Sequence, residues 1–209
     1  MSTFANAGAG AIIREVAAVI VENRGYLSEI DGKIGDGDHG NNMAKGFGRA
    51  AERITDADTL DAAMMTLSDV LMSEIGGSMG PLYGMFFADM ADVIEGKEQI
   101  DVRTFGAMLA AGRDGVVAIG SAKVGDKTLL DTLFPAVDAF CAAGDDFPAA
   151  LRAMTAAAEA GRDSTLDMVA KIGRASRLGE RSRGVLDAGA TSCCMILTAM
   201  AEQTAKRLA

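Results

Sequence analysis

The chain has 209 residues, enough to bury a substantial core without disulfides or metals as staples, and its 49 % hydrophobic and 23 % charged residues are ordinary usage for a folded protein. A formal net charge of −9 is the opposite of the basic footprint that holds nucleic acid. No run approaches the roughly 20 apolar residues of a membrane span, and the opening MSTFANAGAGAIIRE lacks the basic and then apolar regions of a secretory leader, so a cytoplasmic protein with neither nucleic acid nor membrane as partner is expected.

The elements read as helices throughout. There is no Trp, and the abundant Ala, thirteen Met and only three Pro favour helix over strand, so an all-α chain is expected. Ile12, Ile13, Val16, Val19 and Ile20 form the apolar stripe of a first helix that should stop near Gly25. A second is expected over 42–54 and a third over 60–75, opened by the cap candidates Asp58 and Thr59 and closed by Gly76-Gly77. Pro81 suits the first turn of a fourth helix ending at Ile94, and a fifth over 104–119 meets Gly120. A sixth spans 128–143 with Pro135 inside it, two more cover 148–160 and 165–172, and the last runs over 191–206, where Ile196, Ala199 and Met200 share one face. Helices of this number and length suggest a bundle or a closed helical barrel. No repeat or linker divides residues 1–209, so one domain is expected. Cys141, Cys193 and Cys194 form neither a disulfide framework nor a CxxC metal site, which fits reduced thiols.

Four connections carry more Gly and polar residues than turns between helices need: 31–42, 76–84, 120–128 and 173–189. Alternate loops of a bundle lie at one end, so these are expected to converge. The first reads IDGKIGDGDHGNN. Its Gly35, Gly37 and Gly40 satisfy GxGxxG, but no strand precedes them, and Asp36 and Asp38 would repel a pyrophosphate. Asp31, Asp36 and Asp38, spaced by glycines, instead form a hard oxygen set for Mg²⁺ or Ca²⁺. An EF-hand register fails, because the twelfth position falls on Phe47 or Asn42 rather than Glu. Magnesium, which keeps waters and leaves room for phosphate oxygens, fits better. The alternative is a solvated acidic turn capping a helix. His39, the single histidine, is placed to hydrogen-bond a phosphate or a metal-bound water.

Gly76-Gly77-Ser78-Met79-Gly80-Pro81 leads into a helix whose free N–H groups can receive an anion, although the glycines serve close packing equally well. The segment GSAKVGDKT at 120–128 has one residue too many for a P-loop and no strand–helix–strand context; Lys127 either caps a helix with Thr128 or approaches the metal site. Arg174, Arg177, Arg181 and Arg183 cluster in an otherwise acidic chain, as a phosphate-binding set or a solvated basic patch.

The segments IGDGDHGNNMAKGF, GGSMGPLYGMFF, VGDKTLLDTLFPAV and RASRLGERSRGVLDAGATS, in this order, resemble the nucleotide-binding L subunit of dihydroxyacetone kinases over almost the whole length. The resemblance implies a closed barrel of about eight antiparallel helices with a nucleotide, ADP or ATP, at one end, held through two Mg²⁺ ions on Asp31, Asp36 and Asp38. It also implies that His39, Gly40, Asn41, Asn42, Ser78, Met79, Gly120, Leu129, Arg174, Asp187, Ala188 and Gly189 surround the nucleotide. Met79 departs from the small or hydroxyl residue usual there, and Val185-Leu186-Asp187-Ala188-Gly189 from a His-x-Asp-Pro-Gly pattern.

The activity so implied is phosphoryl transfer to a hydroxyketone held on a separate K-type substrate-binding subunit, so that this chain is half an enzyme and offers no acceptor site of its own. In one mode a resident ADP is rephosphorylated by a phosphoprotein of the phosphotransferase system, the M subunit; in the other, ATP is an exchangeable substrate for dihydroxyacetone or a related short ketose. A non-catalytic, nucleotide-dependent regulatory module would share the same residues. A homodimer is compatible with the sequence.

Overall fold

A computed structural model describes residues 2–209. Its helices are α1 (Ala11–Glu22), α2 (Arg24–Ile34), α3 (His39–Ala51), α4 (Leu60–Glu74), α5 (Met79–Ile94), α6 (Val102–Ile119), α7 (Leu130–Ala142), α8 (Phe147–Ser164) and α9 (Ala188–Ala205). Two short strands, β1 (Thr3–Ala5) and β2 (Gln99–Asp101), pair antiparallel, with Phe4 opposite Ile100.

Helix starts follow the local chemistry of orphaned N–H groups. Thr59, Asp101, Asp146 and Asp187 stand just before α4, α6, α8 and α9, and the side chain of each accepts a hydrogen bond from a first-turn amide. The Asp101 carboxylate accepts from Thr104 N at 2.7 Å, and the Asp187 carboxylate from Ala190 N at 2.7 Å. Pro148 sits in the first turn of α8, where its missing N–H costs nothing.

Packing then closes the bundle. Helix α1 packs on α3, each of α3 to α8 on the next in sequence, and α9 returns to α1, so eight helices form a ring, with α2 laid against α3 and α9. The interior is one continuous apolar cluster. Two groups of rings anchor it: Phe4, Phe105, Phe140 and Phe147 with centroids 5.3–6.4 Å apart, and Phe47, Tyr83, Phe86 and Phe87 at 5.1–6.5 Å.

One end of the ring is tied shut by backbone and amide bonds. Gly10 N donates to Asp58 O at 2.9 Å, and Ala209 N to Thr3 O at 3.2 Å. Buried Asn6 donates to the Asp61 carboxylate at 2.8 Å and Lys97 O at 2.9 Å while accepting from Leu60 N at 2.9 Å. The connections that remain, after α2, α4, α6 and α8, fall at the opposite end. The expected convergence of the four glycine-rich segments follows from this alternation.

Several expectations need correction. Helix α2 fills a segment expected to be irregular from Gly25 onward; its apolar stripe is only Leu27, Ile30 and Ile34, diluted by Gly25 and Gly32. Asp31 therefore stands on the last turn of a helix. The segment 165–172 forms only a 3₁₀ turn at Thr165–Asp167. Tertiary bonds override its helical pattern: Ala170 N donates to Ser182 Oγ at 2.9 Å, Lys171 N to Asp126 O at 3.1 Å, and the Met168 carbonyl accepts from Lys127. Helix α3 begins at His39 rather than 42 and α9 at Ala188 rather than 191, whereas α5, Met79–Ile94, has Pro81 in its first turn as expected. The β1–β2 pair, three residues a strand, is too short for any periodicity to announce it. Among the described residues no helix is long and apolar enough to cross a membrane.

Candidate functional site

The open end of the ring holds a cavity of about 620 Å³ bordered by all four glycine-rich segments. Asp31, Asp36 and Asp38 gather at its rim, and one oxygen from each lies within 4.8 Å of the others. Asp31 is half-buried, whereas Asp36 and Asp38 face solvent. Two glycines make this turn. A Cβ at Gly35 would lie 2.5 Å from Asp31 Oδ1, and Gly37 adopts φ 74°, where a side chain is strained. The other Asp31 oxygen accepts from His39 N at 3.2 Å, tying the end of α2 to the start of α3. The two helices close on each other at Gly40, where a Cβ would lie 2.6 Å from Ser28 N and Ser28 Oγ. Three like charges this close repel unless a cation intervenes, and the Arg174 guanidinium reaches across the cavity mouth to pair with Asp36.

The second wall is the start of α5. Gly77 takes φ 81°, and a Cβ on Gly80 would lie 2.6 Å from both Leu71 O and Ile75 O, so these glycines let the chain turn sharply from α4 into α5. The amides of the first turn have no intrahelical partner, and Ser78 and Met79 line the cavity. Met79 turns its side chain inward and is only 8 % exposed.

The third wall, 120–128, is fastened from below by buried Asp131, whose carboxylate accepts from Gly125 N and from Thr128 N, the latter at 2.7 Å. Lys127 occupies the left-handed region at φ 66°. Its ammonium does not approach the carboxylates. It donates to the carbonyls of Ser182, Val185 at 2.6 Å and Met168 at 3.2 Å, and burial lowers its pKa. Lys127 is thus a buried tie between two walls, a role its place in the sequence did not signal.

The fourth wall runs from Ile172 through two short 3₁₀ turns within Ala175–Ser182, broken at Gly179 (φ 55°), to the start of α9. Of the four arginines only Arg174 lines the cavity; Arg183 pairs with Glu180 at 3.2 Å, and Arg177 and Arg181 are exposed. Asp187 caps α9, and its backbone N donates to Thr165 Oγ1 at 3.0 Å. Burial raises its carboxyl pKa to about 6, against the opposing pull of the Ala190 amide and the Lys127 charge.

Asp31, Asp36, Asp38, His39, Asn42, Ser78, Met79, Gly120, Leu129, Arg174, Asp187, Ala188 and Gly189 all line this one cavity. Gly40 and Asn41 do not. Gly40 is buried between α2 and α3, and Asn41 lies on the outer surface, accepting from Arg24 Nε at 2.6 Å. The cavity also has an apolar lining of Ile34, Leu82, Val116, Ile119 and Ile172, which the sequence does not signal because apolar residues at helix ends look simply like core.

A ring of eight helices, open at one end onto a glycine-built cavity with an acidic rim, defines a helical-barrel protein whose candidate site lies at that end. The DAK2 domain model matches residues 33–202. The chain is 34 % identical over 203 residues to the PEP-dependent dihydroxyacetone kinase 2, ADP-binding subunit DhaL, of Listeria innocua, covering 94 % of each. To the corresponding DhaL subunit of Escherichia coli K12 it is 37 % identical over 182 residues, covering 84 % of this chain and 86 % of that one. Its fold matches the crystal structure of the dihydroxyacetone kinase of C. freundii in complex with AMP-PNP and Mg²⁺, with a TM-score of 0.65 and 26 % identity over 92 % of this chain and 33 % of that longer one. The chain belongs to the DAK2 family, with the L subunits of dihydroxyacetone kinases, which are phosphotransferases.

Proposed function

We propose that this chain, as a single domain, is the nucleotide-binding subunit of a cytoplasmic dihydroxyacetone-type kinase. In this reading it carries a phosphoryl group on ADP from a phosphoprotein of the phosphotransferase system to a hydroxyketone on a separate K-type subunit. The observation that carries the reading is the approach of three carboxylates to within 4.8 Å of one another at the rim of a cavity that also takes in the first turn of α5.

The donor set fits magnesium: three carboxylates, all hard oxygen ligands, on a rim open enough to leave positions for water and phosphate. A pair of Mg²⁺ ions bound there would neutralise phosphate charge and hold the terminal phosphoryl group in line for transfer. The chain's own groups then do the positioning. Asp31, Asp36 and Asp38 hold the ions, and the amides at the start of α5 receive phosphate oxygens. Arg174, paired with Asp36, is near enough to add a guanidinium to the same charge. Leu82, Val116 and Ile119 give a planar base an apolar surface. The relatives named ADP-binding subunits support the relay. The relative crystallised with AMP-PNP supports a second reading, in which ATP exchanges freely.

Mass spectrometry of what the purified protein releases, followed by reconstitution with a K-type subunit, tests the proposal. Tightly held ADP and magnesium, with transfer from the phosphoprotein, are expected. Turnover with ATP alone favours the second reading, and no transfer from either donor rejects both.

A further inference from the structure

Behind the acidic rim, side chains from three helices meet in the wall between cavity and core. His39 opens α3, Tyr83 lies in the second turn of α5 and Ser192 in the second turn of α9. Ser192 Oγ is 2.9 Å from His39 Nε2, 2.8 Å from Tyr83 Oη and 3.1 Å from Gly189 O; Tyr83 Oη is 3.2 Å from the same carbonyl. Ser192 is fully buried and Tyr83 is 2 % exposed. His39 lines the cavity, and its second ring nitrogen, Nδ1, has no hydrogen-bond partner among the described residues.

We infer that Ser192 and Tyr83 are positioning residues that fix His39 as its Nε2–H tautomer and present Nδ1 to the ligand as a hydrogen-bond acceptor. The proton count carries this. Three donors share the knot: the serine hydroxyl, the tyrosine hydroxyl and one imidazole N–H. With the proton on Nε2, all three are satisfied inside the protein: His39 donates to Ser192, Ser192 to Gly189 O, and Tyr83 to Ser192. With the proton on Nδ1, Ser192 must turn to donate to Nε2, and the Nδ1–H is left without an acceptor in the chain. The first arrangement satisfies every donor of the knot within the chain, whereas the second depends on an acceptor from outside it, so the first is preferred. Burial raises the Tyr83 pKa well above its ordinary value, which keeps its proton available for the knot.

The inference rests on the reading of this cavity as a nucleotide and metal site, and it narrows the role of His39. An unprotonated Nδ1 accepts a hydrogen bond, so it suits a metal-bound water or a sugar hydroxyl and does not suit a bare phosphate oxygen, which itself only accepts.

His39 is the only histidine in the chain, so a ¹⁵N-labelled sample yields a single imidazole pattern. The spectrum is recorded on the ligand-free protein at pH 8, above the usual imidazole pKa of about 6.5. Expected is a protonated Nε2 with a directly observed N–H resonance and an unprotonated Nδ1. In Ser192→Ala that resonance is expected to be lost to exchange with water and the two nitrogen shifts to move towards each other, while Ser192→Thr, which keeps the hydroxyl, restores the wild-type pattern. A proton on Nδ1 in the wild type, or an unchanged spectrum in Ser192→Ala, overturns the inference. Because no ligand is present, this outcome is independent of nucleotide binding, which a separate titration with ADP and Mg²⁺ decides.

Discussion

Asp38 illustrates how a charge useful to a ligand burdens the empty protein. It stands with Asp31 and Asp36 inside a 4.8 Å group, and unlike Asp36 it has no arginine beside it. Replacing it with Asn relieves repulsion that solvent holds to about 1 kcal/mol or less. Asp38→Asn is therefore expected to raise the melting temperature of ligand-free protein by up to about 3 °C while weakening Mg²⁺-dependent ADP binding at least about tenfold. Thermal melts with and without Mg²⁺ and ADP check both halves, and a fall in the ligand-free melting temperature contradicts the first. Asp187 behaves differently, because burial raises its pKa from 3.8 to about 6. The folded state then binds this proton more tightly than the unfolded chain does. Its contribution to stability is fully present below pH 4 and is lost as the pH rises through about 6, on the order of 2 kcal/mol. Asp187→Asn removes that dependence. The stability of the variant relative to wild type is expected to climb between pH 4 and pH 6.5, as read by urea denaturation, and a constant difference across that window contradicts the shift. The acidic triplet and His39 were legible in the sequence because Asp and Gly alternate so densely; the roles of Ser192 and Tyr83 were not, since they lie 153 and 44 residues from His39 and only the closed ring brings them together.

At the scale of the elements, the walls of the cavity depend on ties invisible to periodicity. Lys127→Met leaves three carbonyls without their buried cationic donor, and each hydrogen bond to a charged group is worth about 1.5–3 kcal/mol. The loss falls on the segment 168–185. Hydrogen exchange is expected to accelerate there by more than about tenfold while α4 and α5 keep their protection; uniform acceleration throughout the chain contradicts a local tie. Glycines make a second contrast. Gly40→Ala forces α2 away from α3, since its Cβ would lie 2.6 Å from Ser28 N, and is expected to cost about 2 kcal/mol or more. Gly76→Ala, with nothing within 4 Å of the added atom, should stay within about 0.5 kcal/mol of wild type. Equal losses from both, measured by denaturant titration, contradict the packing argument. The long helices α4 and α6 are legible in the sequence nearly to their ends, and α8 to within one turn of its C-terminus. Helix α2 escaped notice because its eleven residues bury only three side chains, and 165–172 was misread because its amides bond to distant groups.

For the whole molecule, the alternation of the ring is what assembles the site. The segments 31–42, 76–84, 120–128 and 173–189 are separated by helix pairs or by a long connection, and an up-and-down ring returns all four to one end. Counting the expected helices brings the first three to one end; the fourth joins them because 165–172 is not a helix but part of the connection from α8 to α9. Closure of α9 onto α1 and the apolar lining of the cavity depend on packing among residues far apart in sequence and had to be seen. A ligand that binds only the folded chain stabilises it by about 2.7 kcal/mol at a hundred times its Kd, roughly 5–10 °C in a domain of this size. The most direct measurement is calorimetric titration of ADP into the nucleotide-stripped protein with Mg²⁺ and with EDTA, in parallel with the Asp36→Asn, Asp38→Asn double variant. Binding that requires both the divalent ion and the two carboxylates is expected; ADP binding of equal strength in EDTA, or in the double variant, contradicts a metal-bridged nucleotide at this rim.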